Sequence, residues 1–221
     1  MEKYGQFCDR VLLGCLSFAL CIPVLTIGAA ASSMYYTVSK VLNRGEGYLF
    51  RTCWGQWKAN LKYGILFTVL ILLYTAVGVL DVYLVYRLVE TGSAPEIFRV
   101  LIWLFFLPEV IVLPWVFAYT ARFNDTVGNT LKNCLRLGFS NPGKTLLCDL
   151  EVVLLAVLVV VAPPLLPFFL TPLTRLWVRW TEPALLEVAK NTEGFDPDAW
   201  YNREPEITEK QKKLENKEEQ Q

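Results

Sequence analysis

The sequence predicts an all-α protein: a polytopic membrane helical bundle of about five transmembrane helices, with amphipathic cytoplasmic loop helices between them. Three observations carry that reading. The 221-residue chain is 54% hydrophobic and 19% charged, with a mean hydropathy of +0.36; ordinary soluble domains carry about 25% charged residues. Five stretches approach the roughly 20 mainly apolar residues that a helix needs to cross a bilayer. Basic residues gather in alternate connections between those stretches.

The first predicted span is 11–33. It ends in "GAAASS", which resembles a signal-cleavage site. The start "MEKYGQFCDR" balances two bases with two acids, however, and further spans follow, so an uncleaved helix is expected. Gly28, Ala29, Ala30, Ala31 and Ser32 form a small-residue patch on it, suited to close helix packing in lipid. Further spans are expected at 63–86, 100–121, 146–162 and 165–180. The last two are divided by the turn "APPLLP"; a single kinked helix there would leave four spans.

The connection after the first span holds Lys40, Arg44, Arg51, Lys58 and Lys62 against Glu46. The one after the third holds Arg122, Lys132, Arg136 and Lys144 against Asp125. The positive-inside bias places both in the cytoplasm, with the N-terminus outside and the C-terminus inside. Within "FRTCWGQWKANLK", Phe50, Trp54, Trp57 and Leu61 share a helical face, with Arg51 and Lys58 off it. That pattern suits a helix lying in the membrane interface or docking a cytoplasmic partner. "VGNTLKNCLRLGF" repeats the plan with Val127, Leu131, Leu135 and Phe139. Residues 1–192 form one membrane domain; the polar tail 193–221, with nine acids and five bases, is expected to be unstructured.

Several function classes are excluded at this level. There is no histidine, which removes the commonest general base and metal ligand. Cys8, Cys15, Cys21, Cys53, Cys134 and Cys148 show no CxxC spacing, so neither a metal site nor a disulfide framework is expected. Equal numbers of acids and bases provide no bulk field for nucleic acid. No nucleophile–base pair is evident, so neither an enzyme nor a cofactor is expected. "GFSNPGKT" satisfies the P-loop spacing through Gly138, Gly143 and Lys144. A phosphate cradle needs a buried strand before that loop, whereas an amphipathic helix is predicted there, so the match is read as chance and no nucleotide is expected.

Ionisable residues inside apolar spans point to function by default. Glu109, between Pro108 and Pro114, and Asp81 form a candidate intramembrane polar site, with Arg175 and Arg179 as possible partners. Glu109 is either an internally satisfied structural acid or a contact for a substrate or ion. Asp149 and Glu151 lie near a span end and are expected to reach headgroup water.

The stretch from Pro23 to Val41 resembles the YesL-like family of bacterial integral membrane proteins. Pro23, Thr26, Gly28, Ala29, Tyr36 and Thr37 match its proline-x-x-threonine-x-glycine start, its alanines and its tyrosine-threonine element. "LKNCLRLGFSNPGKTL" is similar to its second shared segment through Asn133, Asn141 and Pro142. The resemblance implies a multi-pass protein of the bacterial plasma membrane and supplies no catalytic residues. Such genes often lie beside carbohydrate ABC importers and glycan-degrading enzymes. The resemblance therefore implies a non-enzymatic accessory or assembly subunit, touching importer permease subunits and membrane lipid. The residues leave an alternative: an independent small-solute or ion transporter using Glu109 and Asp81.

Overall fold

A computed structural model describes residues 2–45, 47–92 and 95–190, without the side chains of residues 2–7 and 9. The predicted tail at 193–221 lies outside the described residues. The described regular structure is entirely helical. In chain order it comprises α1 (Glu2–Cys21), α2 (Ile27–Thr37), α3 (Leu49–Glu90), α4 (Phe98–Leu101), α5 (Leu107–Thr120), α6 (Val127–Ser140), α7 (Pro142–Val161) and α8 (Leu166–Lys190).

The expected single span at 11–33 is instead two helices that fold back on each other. Pro23 lacks an N–H and drives its predecessor out of the helical region, and it is itself extended, at φ −74 and ψ 114. Thr26 closes the resulting turn by donating its hydroxyl to the carbonyls of Leu20 and Pro23. In one continuous helix Ser17 and Ser33 would stand about 24 Å apart, at 1.5 Å per residue. Here Ser17 of α1 and Ser33 and Thr37 of α2 all face the Cys53 thiol. Both helices also meet α8 on neighbouring turns: Thr171 donates to the carbonyl of Arg10 in mid-α1, and one turn further along α8 Arg175 donates to Asn43, just past α2.

The loop helix expected at 50–62 and the span expected at 63–86 form one rod, α3, of 42 residues. At 1.5 Å per residue it is about 63 Å long, and no proline interrupts it. Cys53, Asn60, Gly64 and Phe67 recur at helical spacing and are its buried face. Trp54, Phe50 and Lys58 are on the open side, stacked as a ladder: the Phe50–Trp54 ring centroids are 6.3 Å apart, those of Trp54–Trp57 5.1 Å. The Lys58 ammonium lies 5.3 Å from the Trp54 ring centre, and Arg51 is exposed beside them.

The small-residue patch is where α2 meets α3. Gly28, Ala29, Ala30 and Ser32 are buried, while Ala31 is half-buried. A Cβ added to Gly64 would sit 2.4 Å from the Ala29 backbone nitrogen, and one added to Gly28 would sit 2.6 Å from the Gly64 carbonyl. At this distance the Gly28 N–H reaches the Thr68 hydroxyl (3.1 Å), a polar tie across the crossing.

The expected third span runs end to end through α4, a 3₁₀ stretch at 102–106, and α5. Pro108 sits in the first turn of α5, where its missing donor costs least. The final turns of α5, Trp115 to Tyr119, are the centre of the core. α6 leads through Asn141 directly into α7, so a helix, not a strand, precedes Gly143 and Lys144. That geometry leaves no phosphate cradle there. The "APPLLP" turn separates α7 from α8 as expected. α8 continues past 180 to Lys190.

Among the described residues, two helices are long and apolar enough to cross a membrane, Leu49–Glu90 and Phe98–Thr120. Their most apolar windows are only 17% and 22% buried, unlike the core helix of a soluble protein.

The crossing generates a prediction. Gly64→Ala should lower stability by about 1–3 kcal/mol, because the neighbour is backbone and cannot yield. Gly55→Ala, with open space around the position, should be neutral or raise stability by up to about 1 kcal/mol through helix propensity. Thermal unfolding of both in one non-ionic detergent checks this; equal responses would refute the tight crossing.

Candidate functional site: a buried carboxylate between two arginines

Three separate segments bring charge to one place. After α2 the backbone widens into a π-helical turn over Val38–Leu42, which the Asn43 N–H closes on the Val38 carbonyl. Gly45 and Gly47 then take φ values of 72° and 92°, a left-handed conformation that glycine adopts without a Cβ penalty. The π-turn before them returns Arg44 against Ser39: its Nη1 donates to the Ser39 carbonyl (2.9 Å) and hydroxyl (2.6 Å). Arg122 follows the end of α5, and Glu182 lies on the far half of α8.

Glu182 is the hub. Its Oε1 accepts from Arg44 Nη2 at 2.9 Å, Arg122 Nη1 at 2.8 Å and Ser39 Oγ at 3.3 Å. Its Oε2 accepts from the Tyr35 hydroxyl at 3.0 Å. The Arg44, Arg122 and Glu182 side chains are 4–7% exposed. A buried charge needs such partners, since an isolated one would cost several kcal/mol of lost hydration. Tyr35 also meets Thr181 at 2.9 Å, and its ring stands edge-on to Trp177 with centroids 5.1 Å apart. Burial, and next the Glu182 charge, hold the Tyr35 phenol well above its ordinary pKa, so it stays a proton donor.

A cavity of about 330 Å³ opens beside the hub. Its wall includes Arg122, Glu182, Gln56, Asn60 and Asn124. Asn60 is buried and its Nδ2 has no hydrogen-bond partner. A second, larger hollow lies between α6 and α8. There Asn133, one of the residues behind the family resemblance, donates to the Tyr119 hydroxyl at 2.8 Å. Nearby on α6, burial pushes the Cys134 thiol up to about 12, which favours the neutral thiol.

The sequence-derived polar site is not gathered in one place. Glu109 is half-buried on α5 and accepts from the Thr75 hydroxyl of α3. Asp81 is half-buried further along α3. Arg175 is held by Asn43 at 3.2 Å, and Arg179 is exposed. Neither arginine joins Glu109. Glu151, expected to reach headgroup water, is buried with its Oε2 unpartnered, while Asp149 is half-buried. The hub itself escaped the sequence reading, which counted Arg44 and Arg122 only as loop charges and passed over Glu182. A signal was present: all three follow the ends of odd-numbered predicted spans, which must finish on one side.

A family model described as "Protein of unknown function, DUF624" matches residues 12–82. The match takes in the second half of α1, α2 and most of α3, including the Pro23–Val41 stretch; the segment at 131–146 lies beyond it. Neither the curated proteins nor the solved structures yielded a match.

Removing the hub's charge should be costly. Glu182→Gln, which leaves two buried guanidiniums facing a neutral amide, should destabilise by about 3–5 kcal/mol. Tyr35→Phe keeps the ring against Trp177 and should lose only about 1–3 kcal/mol for the abandoned acceptors. Unfolding midpoints in detergent measure both; a Glu182→Gln protein as stable as the parent would contradict the hub.

Proposed function

We propose that the protein is a multi-pass membrane protein that acts without catalysis, as an accessory or assembly subunit of a carbohydrate ABC importer. The observation that carries the membrane part is the inversion of surface and interior. Leucine and valine cover the outward faces of α3 and α7, while the charged hub is buried. In water such apolar faces would be an association hazard; in a bilayer they are the solvent-facing side. The Phe50–Trp54–Trp57 ladder with Lys58 suits the headgroup boundary, where aromatic rings and cations are favoured. The importer association is supported by the family resemblance, and the lack of histidine and of a nucleophile–base pair favours a non-enzymatic role.

We also propose a topology that differs from the sequence-based expectation. With Arg10 and Asn43 on neighbouring turns of α8, α1 and α2 are best read as a re-entrant pair that enters and leaves by one face. α3, the α4–α5 rod, α7 and α8 then make four crossings. On this reading the start of α1, the end of α8 and both basic connections are cytoplasmic, in place of an external N-terminus. A second reading, solute or ion transport, is favoured by one contact: Glu109 is hydrogen-bonded to Thr75 across the α3–α5 boundary.

Two experiments separate these readings. Under the accessory reading, affinity purification in mild detergent from a bacterial membrane should retain importer permease subunits, and the purified protein alone should move no solute in liposomes. Flux that Glu109→Gln abolishes, without co-purifying subunits, would reverse the assignment. For topology, Cys8 retained alone and Lys58→Cys in a cysteine-free background should both react with an impermeant maleimide from the cytoplasmic side. Labelling from opposite sides would refute the re-entrant pair.

A further inference from the structure

We infer that the cavity beside Glu182 binds a neutral, polyhydroxylated group of about the size of a monosaccharide. The inference rests on the cavity itself and not on the importer association, which co-purification tests separately.

The charges on the wall select against ions of either sign. Arg122 and Glu182 both line the cavity, and they are paired with each other at 2.8 Å. Both oxygens of Glu182 already accept hydrogen bonds within the hub. An entering anion would meet the carboxylate, and an entering cation the guanidinium. Either would shed its hydration for a wall whose paired charges offer little in return. A neutral ligand avoids that cost.

The remaining polar groups suit hydroxyls. Gln56, Asn60 and Asn124 each bring a carboxamide to the wall. A carboxamide donates through its N–H groups and accepts through its oxygen, and a hydroxyl does both, so the two pair in either direction. Asn60 carries the most weight. It is 7% exposed, and its Nδ2 has no hydrogen-bond partner. A buried donor left unpaired is costly and calls for an explanation. Asn60 lies on the packing face of α3 beside Cys53, Gly64 and Phe67, so helix packing by itself requires no amide there. A ligand hydroxyl in the cavity would accept from it.

Size and shape agree with this chemistry. The volume of about 330 Å³ falls at the small end of ordinary ligand sites and suits one six-membered ring with its hydroxyls. Tyr36 adds an aromatic ring to the wall, apolar surface against which the C–H groups of such a ring can lie. A free sugar and the glycosyl headgroup of a membrane glycolipid both carry this chemistry, and the experiment tells them apart.

D-Glucose is the probe for a free sugar. Its counterpart is (tetrahydropyran-2-yl)methanol, the same ring without its ring hydroxyls. The full chain is held in a sugar-free polyoxyethylene detergent, because glucoside and maltoside detergents would present the same chemistry as the probe. Saturation-transfer NMR should show saturable glucose binding that excess inorganic phosphate does not displace, and no saturable binding of the counterpart. Asn60→Ala and, separately, Gln56→Ala should each weaken the glucose affinity by about fivefold, the loss expected for one neutral hydrogen bond. Ser140→Ala, in the other hollow, should leave it unchanged. Gln56 is only half-buried, so that variant keeps the test open if Asn60→Ala fails to fold.

Native mass spectrometry from nanodiscs with and without glucosyl diacylglycerol identifies the source. Glucose bound without retention of the lipid assigns a free sugar. A retained glucosyl diacylglycerol that is lost in Asn60→Ala assigns a lipid headgroup. Either supports the site. Displacement of glucose by phosphate, equal binding of the counterpart ring, or an undiminished response in both cavity variants would overturn it. So would neither ligand bound, the result for a cavity that holds only water.

Discussion

A carboxylate shut away from water must be satisfied from within the protein, and that requirement at Glu182 organises the described structure. Satisfying it takes Arg44 from the connection after α2, Arg122 from the end of α5 and Tyr35 from α2. Four separate segments are thereby fixed at one height. In a lipid setting this matters more than it would in water, because apolar faces gain little by leaving lipid for each other. Directed polar contacts and close backbone approach then decide which helices are neighbours. The hub supplies the first kind of restraint and the Gly28–Gly64 crossing the second.

The two restraints explain the local irregularities. The Pro23 turn lets α2 run back beside α1, so that its small residues face α3 and Tyr35 faces α8. The π-helical turn then redirects the chain sharply enough to return Arg44 to Ser39 and Glu182. π-turns cost hydrogen-bond geometry and gather at functional sites. Here the cost is offset by a paired buried charge. The cavity opens at the place where this restraint holds the helix ends together around polar groups, leaving room between α3 and the end of α5.

Much of the fold was legible in the sequence, in the places where one local rule dominates. Apolar runs announced helices, "APPLLP" announced the α7–α8 turn, and the glycine–alanine patch announced a close crossing. The amphipathic pattern at 127–139 announced the helix that precedes Gly143 and Lys144. Reading stopped where two local rules competed. The run from Val11 to Ser33 is apolar enough to span, and hydropathy alone cannot show that Pro23 breaks and reverses it. The 50–62 stretch is amphipathic while 63–86 is uniformly apolar, yet without a breaker the backbone continues as one helix. The buried cluster was the hardest to see, because Arg44, Arg122 and Glu182 are separated by 78 and 60 residues. Only the shared side of their span ends hints at contact. Glu109, the acid most conspicuous in the sequence, stands apart from the hub and accepts a hydrogen bond from Thr75.

The central claim is that Glu182 and its arginines act as one energetic unit. A double-mutant cycle on Arg122→Met and Glu182→Gln, read by unfolding free energy in a single detergent, tests it most directly. Residues sharing a buried ion pair should show a coupling of about 2–3 kcal/mol, the double variant being less destabilised than the two single losses combined. Additive losses, with coupling inside about 0.5 kcal/mol, would mean that the two side chains stabilise the protein independently and would contradict the account.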